Sequence, residues 1–381
     1  MRCGGCRRAA VTAAACAAAV TLALAACSPA PGQGGARTVA AAAASSYACT
    51  GTAADAAGLQ RVIDASGYGS VVSVTGGTCL ITRPVALLGG RTYTGGSTTG
   101  TVLRQRGRLR YLLVSASYLR NARTTGSPLA IRDLTVACDG TGATDGIVLM
   151  NWQLDVEHVN VSDCAGSGIV DTSAAADGRP ITNTSVNSRF VSNFITHSGS
   201  YGFEITDPGT VVTDGYLDNN QIGFSGKDAI RMQTASGWDV SGNHLYGNAE
   251  DAIDVDGLYG TTIAGNYIED FGARQRAGTW YGIAATAQGN VGSTISGNKL
   301  ANAEGEAPGA RHVYLAVTQA RGGTGYLAVT GNVIIGARAD DVGFSWHGSP
   351  DKLVVGAAGN VVQRVGVSHA RAGDVSLSSG G

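Results

Sequence analysis

Residues 226–257 read GKDAIRMQTASGWDVSGNHLYGNAEDAIDVDG, and in them KDAIR returns one repeat later as EDAID. Asp228, Glu250, Asp251, Asp254 and Asp256 lie in or just after its two copies, and Glu204 lies in the copy before them. Lys227 and Arg231 stand among them. Such a set suits two chemistries. A pair of carboxyl groups can flank a glycosidic bond, one giving a proton and the other acting as nucleophile or base. A cluster of carboxylate oxygens can instead hold calcium. The plain alternative is a set of surface salt bridges, Lys227 to Glu250 and Arg231 to Asp254, contributing at most ~1 kcal/mol each. That alternative leaves Asp228, Asp251 and Asp256 without a basic partner in register.

Both chemistries require distant residues to meet, and the sequence repeats in a way that brings them together. The first phrase appears as DGIVL at Asp145, SGIVD at Ser167, YGFEI at Tyr201, DAIRM at Asp228, DAIDV at Asp251 and YGIAA at Tyr281. RHVYL at Arg311 and VGFSW at Val342 are looser copies. A second phrase, a small residue and Asn before a short apolar run, recurs at Asn193, Asn220, Asn243, Asn266, Asn298, Asn332 and Asn360. Its spacings are 27, 23, 23, 32, 34 and 28 residues. Short strands, Gly- and Asn-rich turns and a fixed period predict an all-β solenoid, a right-handed parallel β-helix with coils ~4.8 Å apart. The repeated Asn is expected to stack in a turn, tolerate the left-handed conformation and hydrogen-bond the next coil.

Strand alternation then assigns faces. One outward row runs Val148, Val170, Glu204, Arg231, Asp254, Ala284, Tyr314, Ser345. A second runs Met150, Thr172, Thr206, Gln233, Asp256, Thr286, Ala316, His347. The early coils read as bland, and charge converges between Tyr201 and Asp256. Insertions at Asp270–Gly282, with Arg274, Arg276 and Trp280, and before His312 and Tyr314, are expected to wall a groove. Tyr201, Gln233, Arg274, Arg276, Trp280 and His347 are the candidate sugar-binding residues. Asp55–Ser66, DAAGLQRVIDAS, places Leu59, Val62 and Ile63 on one helical face and predicts a helix capping the N-terminal end.

The N-terminus bears on location. MRCGGCRR followed by the Ala-rich run Ala9–Ala26 reads as a secretory signal, residues 1–26. Leu24-Ala25-Ala26-Cys27 resembles the lipobox of bacterial lipoproteins, which implies a lipid on Cys27 and a membrane anchor. Residues 27–46 read as a tether, and residues 47–381 as one β-helix domain. Cys49, Cys79, Cys138 and Cys164 remain, an even number suited to an oxidising compartment. Cys138 and Cys164 lie about one coil apart, within reach of a disulfide, and Cys49–Cys79 would close the N-terminal end. Without Arg2, Arg7 and Arg8 there are 24 basic and 28 acidic residues, a balance that argues against nucleic acid as a partner.

The stretch VVSVTGGTCLITRPVALLGGRTYTGG resembles the opening of pectate-lyase-superfamily β-helices. The matching residues are Leu59, Val62, Ile63, Gly77-Thr78, Pro84, Leu87, Gly95 and Thr101 to Arg104. Asp228, followed by Glu250, Asp251 and Asp254, is similar to the acidic calcium motif of family 9 pectate lyases. The resemblance implies Ca2+ on those four residues and a calcium-assisted lyase acting on a uronate-containing glycan. That family's lysine base has no counterpart, since the equivalent strand reads YGIAATAQ and Lys299 falls in a turn. Lys227 or Arg231 would then be the base, and Tyr281, Tyr314 or His312 the acid. Arg231, a poor base, is better suited to neutralising substrate charge. Tyr201–Pro208, YGFEITDP, resembles the uronan epimerase phrase YGFDPH without its His, and the polygalacturonase phrases are absent. Two further readings are open: a glycoside hydrolase or fructotransferase using a carboxylate pair such as Glu204 with Asp254 or Asp228 with Asp251, and a non-catalytic glycan-binding or adhesive lipoprotein. No phosphate loop, H-E-x-x-H or dinucleotide motif occurs.

Overall fold

The computed structural model describes residues 45–273, 277–303 and 309–379. Short strands separated by left-handed turns wind the chain into stacked coils. The strands of each coil pair in parallel with those of the next, the expected parallel β-helix. Sheet A carries Asp145–Leu149, Ile169–Thr172, Phe203–Thr206, Ile230–Met232, the start of Ile253–Tyr259, Gly278–Gln288 and Ala310–Arg321. Sheet B includes Tyr216–Asp218 and Asp239–Ser241. Sheet C includes Phe194–Thr196, Gln221–Gly223, His244–Tyr246 and Tyr267–Glu269.

Alternation sends aliphatic residues inward. Ile147, Ile169, Phe203, Ile230, Ile253, Ile283 and Leu315 form one buried column in register. The Asn residues build the predicted ladder. Each from Asn193 to Asn332 donates its side-chain amide to the Oδ1 of the next at 2.9–3.0 Å. The same oxygen accepts the preceding Asn's backbone N–H. The left-handed position is the residue before each ladder Asn: Ser192, Asn219, Gly242, Gly265, Gly297, Gly331 and Gly359 all have φ of 55–65°. The small residue makes the turn and leaves the Asn side chain free to point inward.

Helix α1, Asp55–Ala65, caps the N-terminal end, with Ala56, Leu59 and Ile63 buried on the core. Asp55 anchors it by accepting the Thr50, Thr52 and Leu80 amides at 2.8–3.1 Å. Both disulfides form as expected. Cys49–Cys79 and Cys138–Cys164 bridge adjacent coils with Cα atoms 4.6 and 4.8 Å apart. The first described strand begins at Ser45. The signal segment, the Cys27 site, Arg274 and Arg276 lie outside the described residues.

Candidate functional site

Each sheet A strand is preceded by an edge residue, and these stack as Asp145, Ser167, Tyr201, Asp228, Asp251 and Tyr281. An Asp here has a structural use. Its Oδ1 accepts the amide of the edge residue one coil on: Asp145 from Ser167 at 2.8 Å, Asp228 from Asp251 at 3.0 Å, and Asp251 from Tyr281 at 2.7 Å. The Oδ2 atoms of Asp228 and Asp251 make no hydrogen bond among the described residues. Burial pushes Asp228 up to about 7. The charges of Asp254 and Glu250 add to this, and the Asp251 amide opposes it. Burial likewise pushes Asp251 up to about 8 against the Tyr281 amide, with Asp228, Asp254 and Glu250 adding repulsion. The two behave as one coupled pair that keeps a proton near neutrality.

The outward row places Glu204, Arg231 and Asp254 side by side on successive coils. Arg231 is held from two sides, with Nη1 3.1 Å from Asp254 and Nη2 2.7 Å from Asp256. Asp256 therefore has the basic partner that the sequence reading denied it. Burial disfavours the guanidinium charge, but the Asp256 hydrogen bond and the Asp254 field outweigh it and hold Arg231 above its ordinary range. That excludes Arg231 as a base and engages the charge it was expected to offer to substrate. Asp254 is pushed up by burial and pulled back by Arg231.

Lys227 does not meet Glu250. Its ammonium lies over the Tyr201 ring, 5.0 Å from the centroid, so one expected salt bridge is replaced by a cation–π contact. Tyr281 flanks Asp251 and keeps its proton, through burial and the Asp251 charge. Gln233 is exposed and accepts the Asp207 amide at 2.7 Å.

The early coils are not bland. Helix α2, Ala116–Leu119, and the segment 173–180 roof the face there, burying Val148 and Val170 with Tyr111. A groove of about 250 Å³ remains, lined by Arg110, Tyr118, Asp145, Glu204 and Thr206. Glu204 accepts Ser167 Oγ at 2.6 Å and Thr206 Oγ1 at 3.0 Å. Burial pushes Asp145 up to about 6, opposed by the Ser167 amide and reinforced by Glu204. Tyr118 meets Tyr111 hydroxyl to hydroxyl at 3.1 Å. Sequence reasoning missed Arg110, Tyr118 and Asp145 as site residues. Asp145 carried the one available signal, since it opens a phrase as Asp228 and Asp251 do. A larger cavity, about 500 Å³ near Arg91, Arg120 and Asn151, has no carboxylate in its wall.

Four expected residues lie elsewhere. Tyr281 pairs with Val313 and Ala284 with Ala316, so the Arg311 phrase was read two residues out of register. Ala316 and Thr318 occupy the outward positions. Tyr314 fills the column that Gly282 and Ala252 occupy in earlier coils. It points inward, fully buried, its hydroxyl 3.3 Å from Asp341. His312 is also fully buried, 3.4 Å from Asp341 and edge-on to Phe271. Neither reaches the outer face. His347 is exposed there but beyond the coil of Thr318, away from the acids. Trp280 leans over Gly272 and Gly278 and packs on the core. Lys299 opens a strand of sheet C.

Part of the expected calcium donor set is engaged within the protein. Asp228 and Asp251 each commit Oδ1 to a backbone amide, and Asp254 is paired with Arg231. Among the described residues no three acidic, His or Cys side chains converge as a metal site would require.

The family profile for a right-handed beta helix region matches residues 136–334. The A-module of Azotobacter vinelandii mannuronan C-5 epimerase AlgE4 superposes with TM-score 0.55 at 16% identity, covering 86% of this chain and 94% of that one. The catalytic domain of Agl-KA gives 0.53 at 10% identity, covering 85% and 64%. The Dettilon tailspike protein gives 0.50 at 12% identity, covering 84% and 68%. No curated protein matches by sequence.

Proposed function

Because the chain belongs to the right-handed β-helix family, we propose that it is an exported enzyme that cleaves glycosidic bonds in a polysaccharide with a carboxyl pair. One observation carries this reading: the proton-holding Asp228–Asp251 pair lies beside Asp254, which pairs with Arg231 at 3.1 Å, on the outer side of sheet A. Glycoside hydrolysis needs one carboxyl that holds a proton and a second that faces the reacting carbon. Asp251, through its free Oδ2, gives a proton to the leaving glycosidic oxygen. Asp254 takes a proton from the water that bonds to the anomeric carbon as the bond to the leaving oxygen breaks. The two backbones stand roughly 10 Å apart along the strand, with room for a water between the side chains. The Glu204–Asp145 groove holds the neighbouring sugar. The mannuronan epimerase with the same fold lends support to a polysaccharide substrate. The two inter-coil disulfides suit an oxidising compartment, in keeping with a signal sequence and a lipid on Cys27.

A second reading, proton abstraction from a uronate as in a lyase or epimerase, is favoured by the Lys227–Tyr201 contact, an amine and a phenol together at the rim. An assay separates them. Incubate the protein with alginate, polygalacturonate, dextran and inulin, and follow new reducing ends and ultraviolet absorbance with and without EDTA. Our reading expects new reducing ends, no absorbance of unsaturated products and no effect of EDTA. An EDTA-sensitive rise in absorbance would establish the calcium lyase instead. Binding without any product would leave a glycan-binding protein.

A further inference from the structure

The outer face of sheet C carries a row of rings that the acid site does not use. Phe194, Gln221, His244, Tyr267 and Lys299 stand in register on five successive coils. Tyr246 and Glu269 share the next row. The turn just beyond holds His197 and Phe224. The rings form one chain of contacts: His197 on Phe224 at 5.0 Å, Phe224 on Tyr246 at 5.2 Å, Tyr246 by His244 at 4.8 Å, and His244 on Tyr267 at 4.9 Å. Glu269 takes hydrogen bonds from the Tyr267 hydroxyl and, at 2.9 Å, from His244 Nε2. Phe194, Phe224 and Tyr267 remain 37–41% exposed.

Two features show that folding alone does not call for these rings. Phe224 has φ of 57° in the slot that Gly247 fills one coil later with φ of 62°. A bulky side chain is costly in that conformation, and glycine would serve the turn. The surface is also cleared for the rings. A Cβ on Gly223 would lie 2.5 Å from the Tyr246 ring, and one on Gly247 would lie 2.7 Å from the Phe224 ring.

We propose that this stripe is a second carbohydrate site, which holds a run of sugar residues of the chain being cleaved. The proposal rests on the polysaccharide reading above. Its shape selects the ligand. The stripe is one or two residues wide and several coils long, too narrow for the ~800 Å² that each partner of a stable protein complex buries. Rings recur once per coil, a spacing close to the rise of one pyranose along an extended glycan. Gln221, His244 and Glu269 stand beside the rings, with Lys299 on the coil after Tyr267, to meet the hydroxyls around an apolar sugar face. The turn that carries Phe224 leads directly to Lys227, and the one that carries His197 to Tyr201, so the stripe meets the rim of the acid site.

The test is native affinity electrophoresis of the full chain as Asp251→Asn, which stops turnover, in gels containing alginate, polygalacturonate, dextran or inulin. At least one polysaccharide should retard it, and adding Phe224→Gly with Tyr267→Ala should weaken that retention about tenfold. Phe224→Gly alone should leave the thermal midpoint unchanged or higher. A lower midpoint, unchanged retention, no retention by any of the four, or ring-dependent self-association in sedimentation would each overturn the proposal. Ring-dependent retention with no new reducing ends from the wild type would sink the acid-site mechanism and leave the stripe standing. New reducing ends with ring-independent retention would do the reverse.

Discussion

Asp251 combines two uses in one carboxyl group: Oδ1 fixes the next coil through the Tyr281 amide, and Oδ2 is left to carry a proton. Asp251→Asn keeps the first use and removes the second. It should therefore fold normally and lose about 10²–10⁴-fold in rate, the usual worth of a general acid. In the wild type the working form is protonated, so the rate should fall as pH rises through about 8. A buried acid of a different kind is Asp171. It points inward between Leu149 and Ile205 on adjacent coils and is fully buried. Burial, reinforced by Asp207, pushes it up to about 8 from 3.8, offset only in part by the nearby Ser188 hydroxyl. The folded chain thus holds a proton that the unfolded chain releases. The contribution of Asp171 to stability is therefore greatest below 3.8 and drains away as pH climbs to about 8. Asp171→Leu should raise stability by about 1–4 kcal/mol at neutral pH and flatten that dependence, read by denaturant melts across the range. The acids of the site were legible as residues, because charge is rare in these coils. Their partners were not, since which carboxylate an Arg side chain reaches depends on its rotamer: Arg231 reaches both Asp254 and Asp256, and Lys227 turns to Tyr201.

The Asn ladder was readable from spacing alone, because a buried amide that serves its neighbours above and below must recur once per coil. Asn243 is central to it, bonded to Asn220, Asn266 and the Leu217 carbonyl. Asn243→Ala leaves a buried backbone N–H and a carbonyl without partners, at about 1–3 kcal/mol for each. The variant should show a lower denaturant midpoint with little change in rate. Register was harder to read where the repeat loosens. RHVYL and VYLAV both place apolar residues at alternate positions, and neither has in second place the Gly or Ala that the other copies keep there. Tyr314 breaks that rule by filling the column and bonding to Asp341, so the phrase was shifted by two and His312 and Tyr314 were assigned to the wrong surface. The roof formed by α2 and residues 173–180 carried no periodic signal at all, and the Asp145–Glu204 groove beneath it went unseen.

At the scale of the whole molecule, winding places Glu204, Arg231 and Asp254 on one face although 50 residues separate the ends of the set. Stacked coils keep acids close and water partly excluded, and that raises two carboxyls toward neutrality. The cost is repulsion, which the protonated pair and Arg231 contain between them. In the proposed function, the same winding leaves sheet C to hold a glycan that sheet A cuts. The most direct test of this account is a carbon-13 NMR titration of the aspartate carboxyls in the wild type and in Asp251→Asn. The account predicts a coupled pair with apparent values of about 7 and about 8, of which one step disappears in the variant. If Asp228 and Asp251 instead titrate with the exposed carboxyls, close to the ordinary 3.8, no proton is held for the glycosidic oxygen and the mechanism is wrong.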